Sequence, residues 1–365
     1  MIRPNKAVSS LEKYVPASPE EGLFYTKEDY LKLDSNEATI RPSPLVFHRI
    51  QEFLFSGHIN WYPDIEAREL KTKLTRYTGR CFDEIQVFNG SDSALDCICR
   101  TYVDETDVVL AASPTYDKFR VFAESLGTKI EFIHSQDPFK SDIQNLIGRV
   151  TEKTKLIYLC NPNNPTGSEY GKHDIATLLE KLERGILIVD EAYYEYSGKT
   201  MADLIKKFDN LIITRSFSKA FGLASLRCGY ILSDAENVSH INKIRDEKSV
   251  NAVALIAAAA SLDDLDYMRK YVKEVNHAKK WLVKNLRLLG YQVISTPANF
   301  ILLKVKEPRV FIRELSEDKI LIRDRSQMSQ LENHVRITVG HMEQCKKLIK
   351  TVREKHKASH DVIQN

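Results

Sequence analysis

Between residues 85 and 232, short apolar runs rich in β-branched residues alternate with stretches of helical character. The runs fall at 85–88, 108–112, 129–133, 156–160, 186–189, 211–214 and 229–232. Several are apolar at every position rather than at every second one, as in Ile186-Leu187-Ile188-Val189. A strand covered on one face alternates; an unbroken apolar strand is covered on both. Strands of this kind joined by helices predict an α/β fold, a mostly parallel sheet between two helical layers with right-handed crossovers.

Past residue 260 the period changes. Tyr267, Tyr271, Val275, Ala278, Leu282, Leu286 and Leu289 recur at helical spacing and Gly290 stops them, predicting a long helix over 264–289. Short strands at 292–295, 300–305, 320–322 and 335–339, with helices at 309–317 and 343–356, then predict a second, smaller α/β domain. The expected division is an N-terminal segment 1–40 joining the small domain, a large domain 41–275 and a small C-terminal domain 276–365.

Composition narrows the class. The 365 residues are 43% hydrophobic and 28% charged, the mix of a soluble globular protein, and the net charge of +3 is spread thinly. No nucleic-acid surface is expected. The longest apolar stretch, Ala252 to Leu262, is shorter than the roughly 20 residues of a membrane span. The first 14 residues hold no apolar core of signal-peptide length, so a cytoplasmic protein is expected. Six cysteines without a Cys-x-x-Cys pair read as free thiols in a reducing compartment, and no metal site is expected from the ten histidines.

In an open parallel sheet, ligands sit beyond the carboxyl ends of the strands, and the chemically distinctive residues all follow a predicted strand. Ser216-Phe217-Ser218-Lys219, with Arg227 eight residues on, combines an amine with the hydroxyls and cation that hold a phosphate. That set suits a phosphorylated aldehyde, held by condensation with the lysine. A polar strand-to-helix turn is the alternative for so short a segment. Asn89-Gly90-Ser91-Asp92 opens a helix and offers an anion site, although an ordinary N-cap reads the same. Tyr116 follows another strand, where its ring either lies on an aromatic ligand or packs.

The turn Asn161-Pro162-Asn163-Asn164-Pro165-Thr166-Gly167 is rigid enough to aim an amide, that of Asn164, at a phenolate oxygen; turn chemistry alone also employs Asn and Pro. Asp190 ends an apolar strand, where a carboxylate is costly unless it meets a cation such as a protonated pyridine nitrogen. Tyr193, three residues on, is placed to share the phenolate with Asn164.

The ordered set Asn164, Asp190, Tyr193, Lys219 and Arg227 resembles the fold-type I pyridoxal-phosphate aminotransferases, most closely the histidinol-phosphate aminotransferase family. The resemblance spans nearly the whole chain, from Leu33-Asp34-Ser35-Asn36-Glu37 through Trp61-Tyr62-Pro63-Asp64 to Val335-Arg336-Ile337-Thr338-Val339-Gly340. It implies an aspartate aminotransferase-like large domain with a seven-stranded sheet, and pyridoxal 5'-phosphate as cofactor. Lys219 would carry the cofactor and move the proton, Asp190 would pair with the ring nitrogen, and Asn164 and Tyr193 would meet the phenolate. Tyr116 would stack on the ring, and Ser91, Asp92, Ser216, Ser218 and Arg227 would hold the phosphate. Tyr62 would reach the partner subunit's cofactor phosphate in a homodimer.

For the substrate, the resemblance points to Arg323 and Arg336, whose forks suit carboxylate and phosphate alike, and to Asn36. Two segments depart from the family's habit. Ala38-Thr39-Ile40-Arg41-Pro42 stands where a Pro-x-Gly-Pro-like stretch is usual, and Lys248 replaces an aromatic residue. An added cation favours a smaller, more anionic substrate. The expectation is transamination between glutamate/2-oxoglutarate and a phosphorylated keto compound, with imidazole acetol phosphate leading and dihydroxyacetone phosphate competing. A phospho-amino-acid decarboxylase would need the same cofactor residues, and a cofactor-binding regulator would need an added DNA-binding domain.

Overall fold

The structure, a computed structural model, describes residues 2–14 and 30–361. The strands, in chain order, are β1 Leu31–Lys32, β2 Ile85–Phe88, β3 Val108–Ser113, β4 Lys129–His134, β5 Thr154–Cys160, β6 Ile186–Asp190, β7 Leu211–Ser216, β8 Gly229–Ser233, β9 Gln292–Ser295, β10 Phe300–Lys304, β11 Ile320–Leu321, β12 Arg323–Asp324 and β13 His334–Thr338. Each of the seven runs between 85 and 232 is a strand of one sheet, ordered β2-β8-β7-β6-β5-β3-β4. All neighbours pair in parallel except β8, which is antiparallel to both β7 and β2.

Alternation along the strands divides the core in two. Leu156 and Tyr158 of β5, Ile186 and Ile188 of β6 and Ile212 of β7 face one side. There they pack beneath the helices Gly90–Tyr102, Lys118–Glu124 and Ala235–Asn242. Ile157, Leu159, Leu187, Val189 and Ile213 face the other, with the helices Arg68–Thr78, Lys172–Lys181 and Ala252–Asp263. Burial on both faces is why these strands carry no polar alternation.

The helix expected over 264–289 runs Leu265–Leu288. Asp264 caps it by accepting from the Tyr267 N–H at 3.3 Å, and Gly290 follows at φ 86° in the left-handed region that glycine adopts freely. It leads into a four-stranded antiparallel sheet, β12-β13-β10-β9. The run expected as one strand over 320–322 is two short ones. Ile320 and Leu321 pair in parallel with Leu31 and Lys32, while Arg323 and Asp324 pair with Arg336 and Val335 of β13. The chain changes sheets at Ile322, because one segment must close the two-stranded ribbon and also edge the larger sheet. The ribbon ties the chain's start to its end: the Leu33 N–H donates to Leu321 O and the Thr338 N–H to Leu33 O, both at 2.8 Å.

Candidate active site

The carboxyl ends of β2, β3, β5, β6 and β7 lie along one edge of the large sheet, and the residues that follow them converge there with β13 and the segment after β1. Lys219 sits in the turn after β7. The Phe217 N–H donates to Cys228 O at 3.0 Å and the Gly222 N–H to Lys219 O at 3.1 Å, so the loop doubles back into β8. The Lys219 amine donates to Ser35 O at 3.2 Å and lies 5.8 Å from the centre of the Tyr193 ring. Burial, then the charge of Arg336, lower its pKa to about 8. A neutral amine, able to accept a proton, is thereby brought near physiological pH.

Asp190 is the last residue of β6 and only 3% exposed. Its carboxylate accepts from the Tyr158 hydroxyl at 3.0 Å and from the Ala192 N–H at 3.1 Å. Both donors are neutral, and burial raises its pKa to about 6. A buried carboxylate held by neutral donors is short of a cation, as the side chain that pairs with a protonated ring nitrogen must be.

The Asn-Pro turn divides its labour. Asn161 bonds both ways with the Tyr170 backbone, and the Asn163 amide donates to Pro114 O at 2.8 Å and Thr166 Oγ1 at 2.7 Å. These two amides build the turn and leave Asn164 for the site. Asn164 Oδ1 accepts from Arg336 Nη1 at 2.6 Å, so its Nδ2 is the end left to donate. Tyr193 is set up in the same way. Its hydroxyl oxygen accepts from Asn36 Nδ2 at 2.9 Å, and burial pushes its pKa up to about 12, so it keeps a proton to donate. Asn36 lies in the left-handed region at φ 53°, held by Thr338 Oγ1 at 2.9 Å and by the Asn299 amide at 3.1 Å.

A cradle suited to an anion forms where Gly90–Tyr102 begins. Tyr116 donates to Asp92 Oδ1 at 2.9 Å, and Arg227 Nη2 lies 3.5 Å from Asp92 Oδ2. A Cβ on Gly90 would stand 2.6 Å from Arg227 Nη2, and one on Gly229 would stand 2.7 Å from the Ser91 nitrogen. Glycine at both places keeps the helix N-terminus, the guanidinium and the β8 start within reach of one anion. Ser216 and Ser218 flank this space, the Ser218 N–H donating to Ser216 Oγ at 3.0 Å.

Arg336 is buried on β13, with Nη1 on Asn164, Nη2 on Asp34 O at 2.7 Å, and Nε without a partner among the described residues. Arg323 is opposite it across the antiparallel pair. Tyr62 and Lys248 lie elsewhere: both are exposed, with the Lys248 amine 4.6 Å from the centre of the Tyr62 ring. Sequence reasoning missed Tyr158 and Arg325. Tyr158 has no local signature, since its role comes from lying beside Asp190 across two strands. Arg325 was legible, standing two residues beyond Arg323 and hence on the same strand face.

Residues 28–352 match the family model described as aminotransferase class I and II, and the chain belongs to that family. It is 40% identical to a dihydroxyacetone phosphate transaminase from Campylobacter jejuni, over 97% of each chain. It is 36% identical to a histidinol-phosphate aminotransferase from Thermoanaerobacter sp., over 88% of this chain and 92% of that one. Its fold is similar to that of the histidinol-phosphate aminotransferase from Sinorhizobium meliloti in complex with pyridoxal-5'-phosphate (TM-score 0.87, 24% identity, 98% of each chain).

The protein is therefore a pyridoxal-phosphate-dependent aminotransferase of fold type I. Asp190, short of a cation, and the glycine-lined cradle beside Arg227 fit that cofactor. When bound, it supplies an electron sink for the bond broken at the amino-bearing carbon. The chain supplies the rest. Lys219 would carry the proton, Asp190 would keep the ring nitrogen protonated, and Asn164 and Tyr193 would donate to the phenolate. Among the described residues no helix is long and apolar enough to cross a membrane.

Proposed function

We propose that this enzyme transfers the amino group of glutamate to dihydroxyacetone phosphate or a similarly small phosphorylated ketone, as a homodimer. The observation that carries this reading is Arg336, buried at the site opposite Arg323, with a guanidinium donor still unspent. Two arginine forks accept a carboxylate in one half of the cycle and a phosphate ester in the other. The small size of the acceptor is supported by the 40% identity to a dihydroxyacetone phosphate transaminase along 97% of both chains. A second reading, imidazole acetol phosphate as acceptor, is favoured by relatives such as the 36% identical histidinol-phosphate aminotransferase.

Dimerisation is supported by four exposed apolar side chains within one short segment, Phe55 82%, Ile59 66%, Trp61 67% and Tyr62 78% exposed. Apolar surface of that extent on one short segment is covered in a stable soluble protein. Light scattering is expected to report twice the chain mass of 41.9 kDa.

The deciding assay offers each ketone phosphate with glutamate as donor and follows 2-oxoglutarate. Dihydroxyacetone phosphate is expected to be converted with the higher kcat/KM, giving serinol phosphate. A higher kcat/KM for imidazole acetol phosphate would establish the second reading, and turnover of neither would remove both.

A further inference from the structure

Just beyond β12 stands an arginine that the cofactor residues do not use. Arg323 pairs with Arg336 across the antiparallel ladder, Asp324 pairs with Val335, and the Arg325 N–H donates to His334 O at 3.1 Å. Side chains alternate along a strand, so Arg323 and Arg325 stand on the face that Arg336 occupies, while Val335 and Ile337 enter the core. With Tyr14, Tyr116 and Asn164, Arg325 lines a cavity of about 470 Å³ that opens beside the site.

The Arg325 guanidinium is poorly satisfied there. Its Nε is buried with no hydrogen-bond partner among the described residues, and Nη1 reaches Met328 Sδ at 4.0 Å. Three nearby acids already have partners. Asp324 Oδ1 accepts from Ser326 N and Oγ at 2.8 and 2.7 Å, and Asp34 is bound by Lys32 at 2.8 Å. Asp117, which shares the cavity wall, is taken by Arg120 at 3.0 Å. The charges of Arg336 and Arg323 add to burial in pushing the Arg325 pKa downward. Leaving a half-buried cation with a buried, unmet donor is costly unless a ligand meets them.

We propose that Arg325 is a specificity-determining residue, binding the phosphate of the substrate together with the free Nε of Arg336 and separating that partner from the amino donor. A carboxylate has two oxygens, which one arginine fork satisfies. A phosphate monoester carries up to two charges on three terminal oxygens and can engage a further guanidinium. Arg325 therefore acts in the half-reaction with the phosphorylated ketone and contributes little to the one with glutamate. This inference rests on the phosphorylated acceptor proposed above.

The test compares holoenzyme carrying Arg325→Gln or Arg325→Lys with wild type, one half-reaction at a time, by the absorbance change of the bound cofactor. For Arg325→Gln the concentration of dihydroxyacetone phosphate at half-saturation is expected to rise about 10- to 100-fold, the loss of one charge-assisted contact. The value for glutamate is expected to change by less than roughly threefold, as for a residue outside that contact. Arg325→Lys should fall between, and inorganic phosphate should weaken as a competitive inhibitor in the same order. Equal loss for both substrates, at unchanged melting temperature and cofactor content, would overturn the inference, as would no loss for either.

Should Arg325→Gln lose the cofactor, Arg325→Lys and inorganic phosphate inhibition decide in its place. Failure of wild type to aminate any phosphorylated ketone would instead count against the proposed function. Competition between inorganic phosphate and glutamate in wild type and Arg325→Lys still reads whether Arg325 binds phosphate.

Discussion

Arg336 Nη1 donates to Asn164 Oδ1 at 2.6 Å, joining β13 of the smaller sheet to the turn after β5 of the larger one. One contact serves two functions. It orients the Asn164 amide so that Nδ2 is left to donate, and it positions the guanidinium proposed to meet the substrate anion. Arg336→Lys would keep a charge but lose the fork, which also holds Asp34 O at 2.7 Å. Both half-reactions are expected to slow, each by about 10- to 100-fold for the loss of a charged hydrogen bond. The absorption maximum of the bound cofactor should shift as well, because its phenolate loses a fixed donor. Single-turnover absorbance measures both effects, and loss in one half-reaction alone would contradict this shared role.

The candidate phosphate cradle depends on Gly90. Its φ of 79° is left-handed, and a Cβ would fall 2.6 Å from Arg227 Nη2. Gly90→Ala therefore carries a backbone cost of about 1 kcal/mol together with displacement of the guanidinium. Pyridoxal-phosphate affinity, by titration of apo-protein, is expected to fall about 10-fold or more, as for loss of a charge-assisted phosphate contact.

Much of this was legible before the structure because the signals are local. The short β-rich runs located all seven strands, and the strand-end positions of Asp190, Asn164 and Lys219 followed from them. What was illegible is set by pairing. Tyr158 looks like one more core aromatic and becomes the partner of Asp190 because Tyr158 pairs with Ile188 and Cys160 with Asp190. Asn36 meets Tyr193 from 157 residues away. The break at Ile322 was hidden because an apolar triplet does not say which of two sheets it joins.

Directly after Asp190 the chain builds a support on the opposite side of the sheet. Glu191 Oε2 accepts from Arg215 Nε at 3.0 Å and Nη2 at 2.8 Å, and its Oε1 from the Met201 N–H at 2.6 Å. Both side chains are almost fully buried, and the guanidinium lies 3.8 Å above the Tyr194 ring. Glu191→Gln removes the carboxylate bonded to the buried Arg215 and leaves Glu195 as the acid nearby, at a cost on the order of 3–5 kcal/mol. Urea unfolding of the apo-protein should show a loss of that size, and a loss below about 1 kcal/mol would place this pair with surface ion pairs.

Asp190 sets function against stability. In the protein without cofactor its pKa rises from an ordinary 3.8 to about 6, burial being the main cause. Between those values the folded state binds a proton that the unfolded chain does not, so stability falls as pH rises through this window. Below about pH 4 both states are protonated and the penalty is absent. Asp190→Asn removes the titration. At pH 7 the apo variant is expected to exceed apo wild type in stability by up to about 2–3 kcal/mol, with the advantage shrinking toward zero near pH 4. Cofactor binding should reverse the order, since the ring nitrogen would give wild type the cation it lacks and would give the amide none. The variant should therefore bind pyridoxal phosphate more weakly and turn over at least ~100-fold more slowly, as for loss of a buried charge pair. Melting curves of both apo-proteins from pH 4 to 8 provide the check, and a stability difference that does not change with pH would refute the account of Asp190 as a carboxylate awaiting a cation.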